Sequence, residues 1–78
     1  MTRSSTTEIY DLRGLKCPLP VLKTRRRLQG LKTGDRIWVE TSDPLAVIDI
    51  PHFCKEAGHV LVETTTIAGG NRFLVEKR

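Results

Sequence analysis

The sequence predicts an α/β fold, a two-layer sandwich with two helices packed on one face of a mixed four-stranded sheet, in the order β-α-β-α-β-β. Three observations predict it. Two stretches carry apolar residues at three- and four-residue steps, which is the helical period. Four short runs rich in Val, Ile, Thr and aromatics alternate with and follow them, the last two joined by a turn holding Gly69-Gly70. The chain has 78 residues, one domain with a thin core. Laying both helices on one sheet is the two-layer solution that buries the apolar faces of each.

The elements follow in order. Residues 1–7 are polar, rich in Ser and Thr, and read as a flexible N-terminus; residues 8–78 read as a single domain. Ile9-Tyr10-Asp11-Leu12 is a first strand, ending at the turn around Gly14. From Pro18 to Gln29 the pattern is helical, with Val21, Thr24, Leu28 and Leu31 on one face and Lys23, Arg26 and Arg27 on the other. Gly30 and Gly34 close that helix and its loop. Arg36–Thr41 is a second strand. Asp43 then caps a second helix with Pro44 at its first position, running to Ala57 and stopping at Gly58. Its apolar face gathers Ala46, Val47, Ile50, Phe53, Cys54 and Ala57, and Pro51 is expected to bend or break it into two pieces. Val60–Ile67 and Arg72–Glu76 are the last two strands, around the turn Ala68-Gly69-Gly70-Asn71.

Composition narrows the class of function. The formal net charge is +4, with eight Lys or Arg against one acid in residues 13–36 and five acids against one Lys in residues 40–63. A basic half of this kind serves nucleic acid, an acidic protein surface or solubility, and charge alone does not choose among them. No apolar run approaches the ~20 residues needed to span a bilayer, and residues 1–7 have no apolar signal core, so no membrane partner is expected. Two cysteines make no disulfide framework, and a reduced, cytoplasmic setting follows.

Cys17 is the residue that carries chemistry. It stands in Gly14-Leu15-Lys16-Cys17-Pro18-Leu19-Pro20. Pro18 at a first helical position places Cys17 at the N-cap, where unpaired N–H groups and the helix dipole favour an anion. A free thiol titrates near ~8.5, and a helix N-terminus with nearby cations lowers that value. Lys16 is adjacent, Arg13 is close and Lys23 lies within two turns, so a reactive thiolate is expected rather than a small buried hydrophobe. Lys23 reads equally as a thiolate stabiliser and as a solvated helix lysine. Arg25, Arg26 and Arg27 read as a docking patch or as good helix formers whose stems cover apolar surface. Cys54, in phase with Ile50, Phe53 and Ala57, reads as core.

Asp11-Leu12-Arg13-Gly14-Leu15-Lys16-Cys17-Pro18-Leu19-Pro20-Val21-Leu22-Lys23 resembles the signature of the TusA-type (SirA-like) sulfur carriers, with their Cys-Pro-x-Pro motif. A second similar segment is Ser42-Asp43-Pro44 with Asp49-Ile50-Pro51-His52-Phe53-Cys54-Lys55-Glu56-Ala57-Gly58-His59, so the resemblance covers residues 8–78. It implies the same two-layer architecture. It implies that Cys17 accepts sulfane sulfur as a persulfide from a cysteine desulfurase or rhodanese-like donor and relays it to a downstream acceptor protein. The pathways served by such proteins are tRNA thiolation, molybdenum-cofactor biosynthesis and sulfur oxidation. Gly14, Lys16, Pro18, Pro20 and Lys23 then form the motif and thiolate environment, and Arg13, Arg25, Arg26 and Arg27 the partner-docking residues. Such a relay is a sulfurtransferase rather than a free-standing enzyme, and no cofactor is expected.

Other classes of function fit the same residues less well. Cys17, His52, Cys54 and His59 lack the spacing of a zinc site, and no metal is expected. His59, just past Gly58, suits a helix C-terminus. Direct nucleic-acid binding is disfavoured, because there is no GXXG loop and no aromatic pair on one strand; Trp38 and Phe73 read as core. The alternatives are a small basic RNA-binding module and a thiol redox-sensing regulatory module, the latter marked by oxidation rather than sulfur on Cys17.

Overall fold

The computed structural model describes residues 8–78. The flexible segment expected over residues 1–7 lies outside the described residues. The elements are β1 (Glu8–Asp11), α1 (Leu19–Gln29), β2 (Arg36–Thr41), α2 (Ala46–Ala57), β3 (Val60–Ile67) and β4 (Gly70–Glu76). The order is the one the sequence predicts, and the sheet is mixed. Its strands run β1-β2-β4-β3, with β1 and β2 parallel and the other two pairings antiparallel. The parallel pair comes from the β1-α1-β2 crossover, and the β3–β4 hairpin folds back so that β4 fills the position beside β2.

Alternation along the strands divides the sheet into two faces. Ile37 and Val39 of β2 pair with Val75 and Phe73 of β4, and all four are buried beneath the helices. Leu28 from α1 and Ala46, Ile50, Phe53 and Cys54 from α2 complete this core. Cys54 is 2 % exposed, as the phase of α2 predicts. Burial holds its thiol at about 11. Trp38 departs from the core expected for it. It shares the opposite face with Glu40, is only half-buried, and lies under the Arg72 guanidinium at 5.3 Å. Arg72 also donates to the Glu40 carboxylate at 2.8 Å, which explains how an acid comes to be buried on that face.

Two elements differ from the expectation in ways that shape the site. Regular α2 begins at Ala46, not Pro44, because Asp43, Pro44 and Leu45 form a tighter lead-in turn: the Ala46 N–H donates to the Asp43 carbonyl and the Ile48 N–H to that of Leu45. Pro51 does not break the helix, which runs unbroken from Ala46 to Ala57. The carbonyl that Pro51 cannot serve belongs to Val47, an exposed residue of the first turn. Gly58 ends α2 at φ 81°, donating its N–H to Cys54, a conformation open to glycine and costly for most side chains.

Candidate functional site

The site is built where the N-terminal ends of both helices meet. β1 delivers the chain through Leu12, which is buried, to Gly14, whose N–H donates to the Ser42 hydroxyl at 2.8 Å. The chain then turns through Lys16, whose carbonyl accepts the Leu19 N–H at 2.8 Å, and α1 starts. The cap of α1 is Pro18, not Cys17, and Pro20 lies buried in the first turn. Cys17 therefore sits one residue ahead of the cap. The reason is the Lys16–Leu19 turn, which occupies the amide that a side chain at an N-cap Cys17 would otherwise have faced.

What holds Cys17 is an acid. Its backbone N–H donates to Asp43 Oδ2 at 2.6 Å, while Oδ1 of the same carboxylate accepts the Leu45 N–H at 3.1 Å. The thiol is exposed and opens into a groove of about 740 Å³ between α1 and α2. Val21, Arg25, Asp49, His52 and Phe53 line that groove with it. The Arg25 guanidinium lies over the Phe53 ring at 5.7 Å. His59, at the far end, accepts the Arg78 backbone N–H through Nδ1, and desolvation together with Lys77 holds its pKa below the ordinary range. That shift disfavours the charged form that would complement the helix dipole.

The electrostatics of the thiol reverse the sequence expectation. The Asp49 carboxylate across the groove, desolvation and the charge of Asp43 push the Cys17 thiol above its ordinary value. Two carboxylates from the α2 region outweigh the cations adjacent in sequence. Lys23, expected to stabilise the thiolate, instead lines a separate, smaller depression with Tyr10, Leu22 and Arg26.

The arginines separate by role. Arg13 is held through two hydrogen bonds to Asp11 at 2.9 Å, and that contact holds the Asp11 carboxyl at about 2. Arg27, expected on the solvent face, is half-buried and forms a two-pronged ion pair with Glu8 of β1. Its long stem reaches over the strand edge, which the helical phase alone does not reveal. Arg25 and Arg26 remain on the exposed side of α1, and only Arg25 of these two lines the thiol groove. Among the described residues, no three His, Cys, Asp or Glu side chains come together to hold a metal ion. No described helix is long and apolar enough to cross a membrane. The residues that sequence reasoning missed are Asp43 as an anchor of Cys17 and Asp49 as its side-chain neighbour. Both lay in the second motif segment, where their only visible signal was an acid at the start of a helix.

Residues 8–77 match the family described as Sulfurtransferase TusA. Two proteins from Neisseria meningitidis, one of serogroup A and one of serogroup B, each bear the name "Putative sulfur carrier protein". Each is 35 % identical over 72 residues, covering 92 % of this chain and 97 % of the relative. With its motif cysteine at the head of α1 and a family match over the whole described fold, the chain belongs to the TusA sulfurtransferase family.

Proposed function

We propose that this protein is a sulfur carrier in which Cys17 accepts sulfane sulfur as a persulfide from a cysteine desulfurase or rhodanese-like donor and relays it to an acceptor protein. The observation that carries the reading is the contrast between the two thiols: Cys17 is exposed in an open groove and Cys54 is sealed in the core. In the loading step, Cys17 sulfur attacks the outer sulfur of the donor's persulfide. A new S–S bond forms as the donor's own S–S bond breaks, and the donor cysteine leaves as a thiolate. Delivery repeats this exchange with the acceptor as nucleophile. Net charge on the exposed side of α1, from Arg25 and Arg26, steers an acidic partner toward the groove. Arg13 and Arg27 are engaged within the fold and contribute less to docking.

The pathway is one of tRNA thiolation, molybdenum-cofactor synthesis or sulfur oxidation, in a reducing compartment such as the cytoplasm. Incubation with a cysteine desulfurase, pyridoxal phosphate and cysteine, read by intact mass, tests the reading. The expected result is a gain of about 32 Da, one sulfur, that a thiol reductant removes and Cys17→Ser abolishes. Loading that survives Cys17→Ser would refute it.

A further inference from the structure

We infer that the groove between α1 and α2 binds a peptide-sized persulfide carrying an ammonium and a carboxylate, and that such a molecule loads Cys17 without a donor protein. The loading step rests on the sulfur-carrier reading above; binding in the groove stands apart from it.

The groove has the size of a small-molecule site. Its volume of about 740 Å³ falls within the ~300–1,000 Å³ of pockets that enclose such ligands. Pro18, Val21, Phe53 and Ala57 supply an apolar lining, and the exposed Cys17 thiol opens into it. Cys17 and Asp49 stand at the heads of the two helices, whereas Gln29 and His59 lie at their tails. A molecule of three residues, roughly 10 Å when extended, fits along that line with its sulfur at the thiol.

The charges along the groove have no ion-pair partners of their own. Arg13, Arg27, Arg36, Arg72 and Arg78 each pair with a carboxylate, but among the described residues Arg25 pairs with none. Its guanidinium lies over the Phe53 ring at 5.7 Å, which carries it across from α1 toward α2 and leaves its N–H groups free to donate. Asp49 and Glu56 line the groove from α2, about two turns apart on one helical face. Among the described residues neither carboxylate forms an ion pair. A cation on one wall and two anions on the other, all open to a ligand, match a zwitterion.

The chemistry of the occupant follows. It needs a carboxylate for Arg25, an ammonium for Asp49 or Glu56, and a sulfane sulfur that reaches Cys17. An inorganic persulfide has neither organic charge, and a folded protein surface covers the groove without filling it. A tripeptide persulfide supplies all three groups. Cys17, as its thiolate, attacks the outer sulfur of the bound persulfide. A new S–S bond forms on Cys17 as the ligand's own S–S bond breaks. The ligand's inner sulfur leaves with the bonding electron pair and takes up the proton that Cys17 gave up. The products are the ligand thiol and the protein persulfide, with no oxidant or reductant consumed.

S-methylglutathione, which has no sulfane sulfur to give, tests binding on the intact chain through amide chemical shifts. At millimolar ligand it should move the amides of Val21, Arg25, Phe53 and Glu56, and leave those of Tyr10 and Leu22 beside the separate depression in place. Shifts absent from the groove residues overturn the inference. Glutathione persulfide, without any donor enzyme and read by intact mass, tests loading. The parent should gain about 32 Da on Cys17 at a rate that saturates with concentration. Arg25→Gln, with the circular dichroism of the parent, should raise the half-saturating concentration about fivefold. Methyl persulfide, which lacks both charged groups, should load both proteins equally and without saturation. A rate linear in glutathione persulfide, or equal in the parent and Arg25→Gln, overturns the inference. Loading by a cysteine desulfurase but not by glutathione persulfide overturns it and leaves the carrier reading standing. Loading by neither removes the carrier reading and the loading step together, while the chemical shifts still decide the binding.

Discussion

The Asp43 carboxylate bridges Cys17 and the head of α2, accepting the Cys17 N–H at 2.6 Å on one oxygen and the Leu45 N–H at 3.1 Å on the other. One side chain thus ties the motif loop to a helix 26 residues away in sequence. Removing it leaves two amides without their partner and frees the loop. Asp43→Ala should destabilise the fold by about 1–2 kcal/mol, measured by urea unfolding. Asp43→Asn, which keeps one acceptor oxygen, should lose less.

Cys54 gives the fold a pH dependence of its own. An ordinary thiol ionises at about 9.0, and burial raises Cys54 to about 11. Its contribution is therefore complete below the unfolded value and lost as pH rises through the folded one, because only the unfolded chain ionises freely in between. Over that window the loss should reach about 2–3 kcal/mol. Thermal melts at rising pH should show Cys54→Ala losing stability less steeply than the parent.

Arg25 and Arg27 are close in sequence and opposite in role. Arg25 borders the thiol groove, whereas Arg27 is bound to Glu8. Arg25→Glu should slow sulfur loading several-fold at low ionic strength, with the difference shrinking as salt screens the encounter. Arg27→Ala should load normally and lose at most about 1 kcal/mol of stability, the scale of a partly exposed ion pair.

Gly70 is fixed by a close approach rather than by its dihedral angles. A Cβ there would sit 1.9 Å from the Thr41 carbonyl oxygen, where β4 begins alongside the end of β2. Gly70→Ala should cost roughly 3 kcal/mol or prevent folding, read by a lowered melting temperature or lost circular dichroism.

Much of this structure was legible in the sequence because its signals are local. The spacing of Thr24 and Leu28, and of Ile50, Phe53 and Cys54, follows the helical period and marks the buried faces of both helices. Strand alternation separated Trp38 from Ile37 and Val39, but it does not say which face a helix covers, and Trp38 ended on the uncovered one. Cys17 stood out through its prolines. Its electrostatics did not, because Lys16 is a neighbour in sequence while Asp43 and Asp49 become neighbours only when α1 and α2 pack together. Pro51 was misleading for a related reason: a proline rule counts the lost hydrogen bond and not whether the orphaned carbonyl faces water.

The central claim is that sulfur rides on Cys17 alone, and the direct measurement is to locate it. After loading by a cysteine desulfurase, the persulfide is capped by alkylation and the protein digested with trypsin. Cleavage after Lys16 and Lys23 isolates Cys17 in residues 17–23, while Cys54 falls in residues 37–55. The account predicts one extra sulfur on the 17–23 peptide and none on the other. Sulfur on residues 37–55 would contradict it.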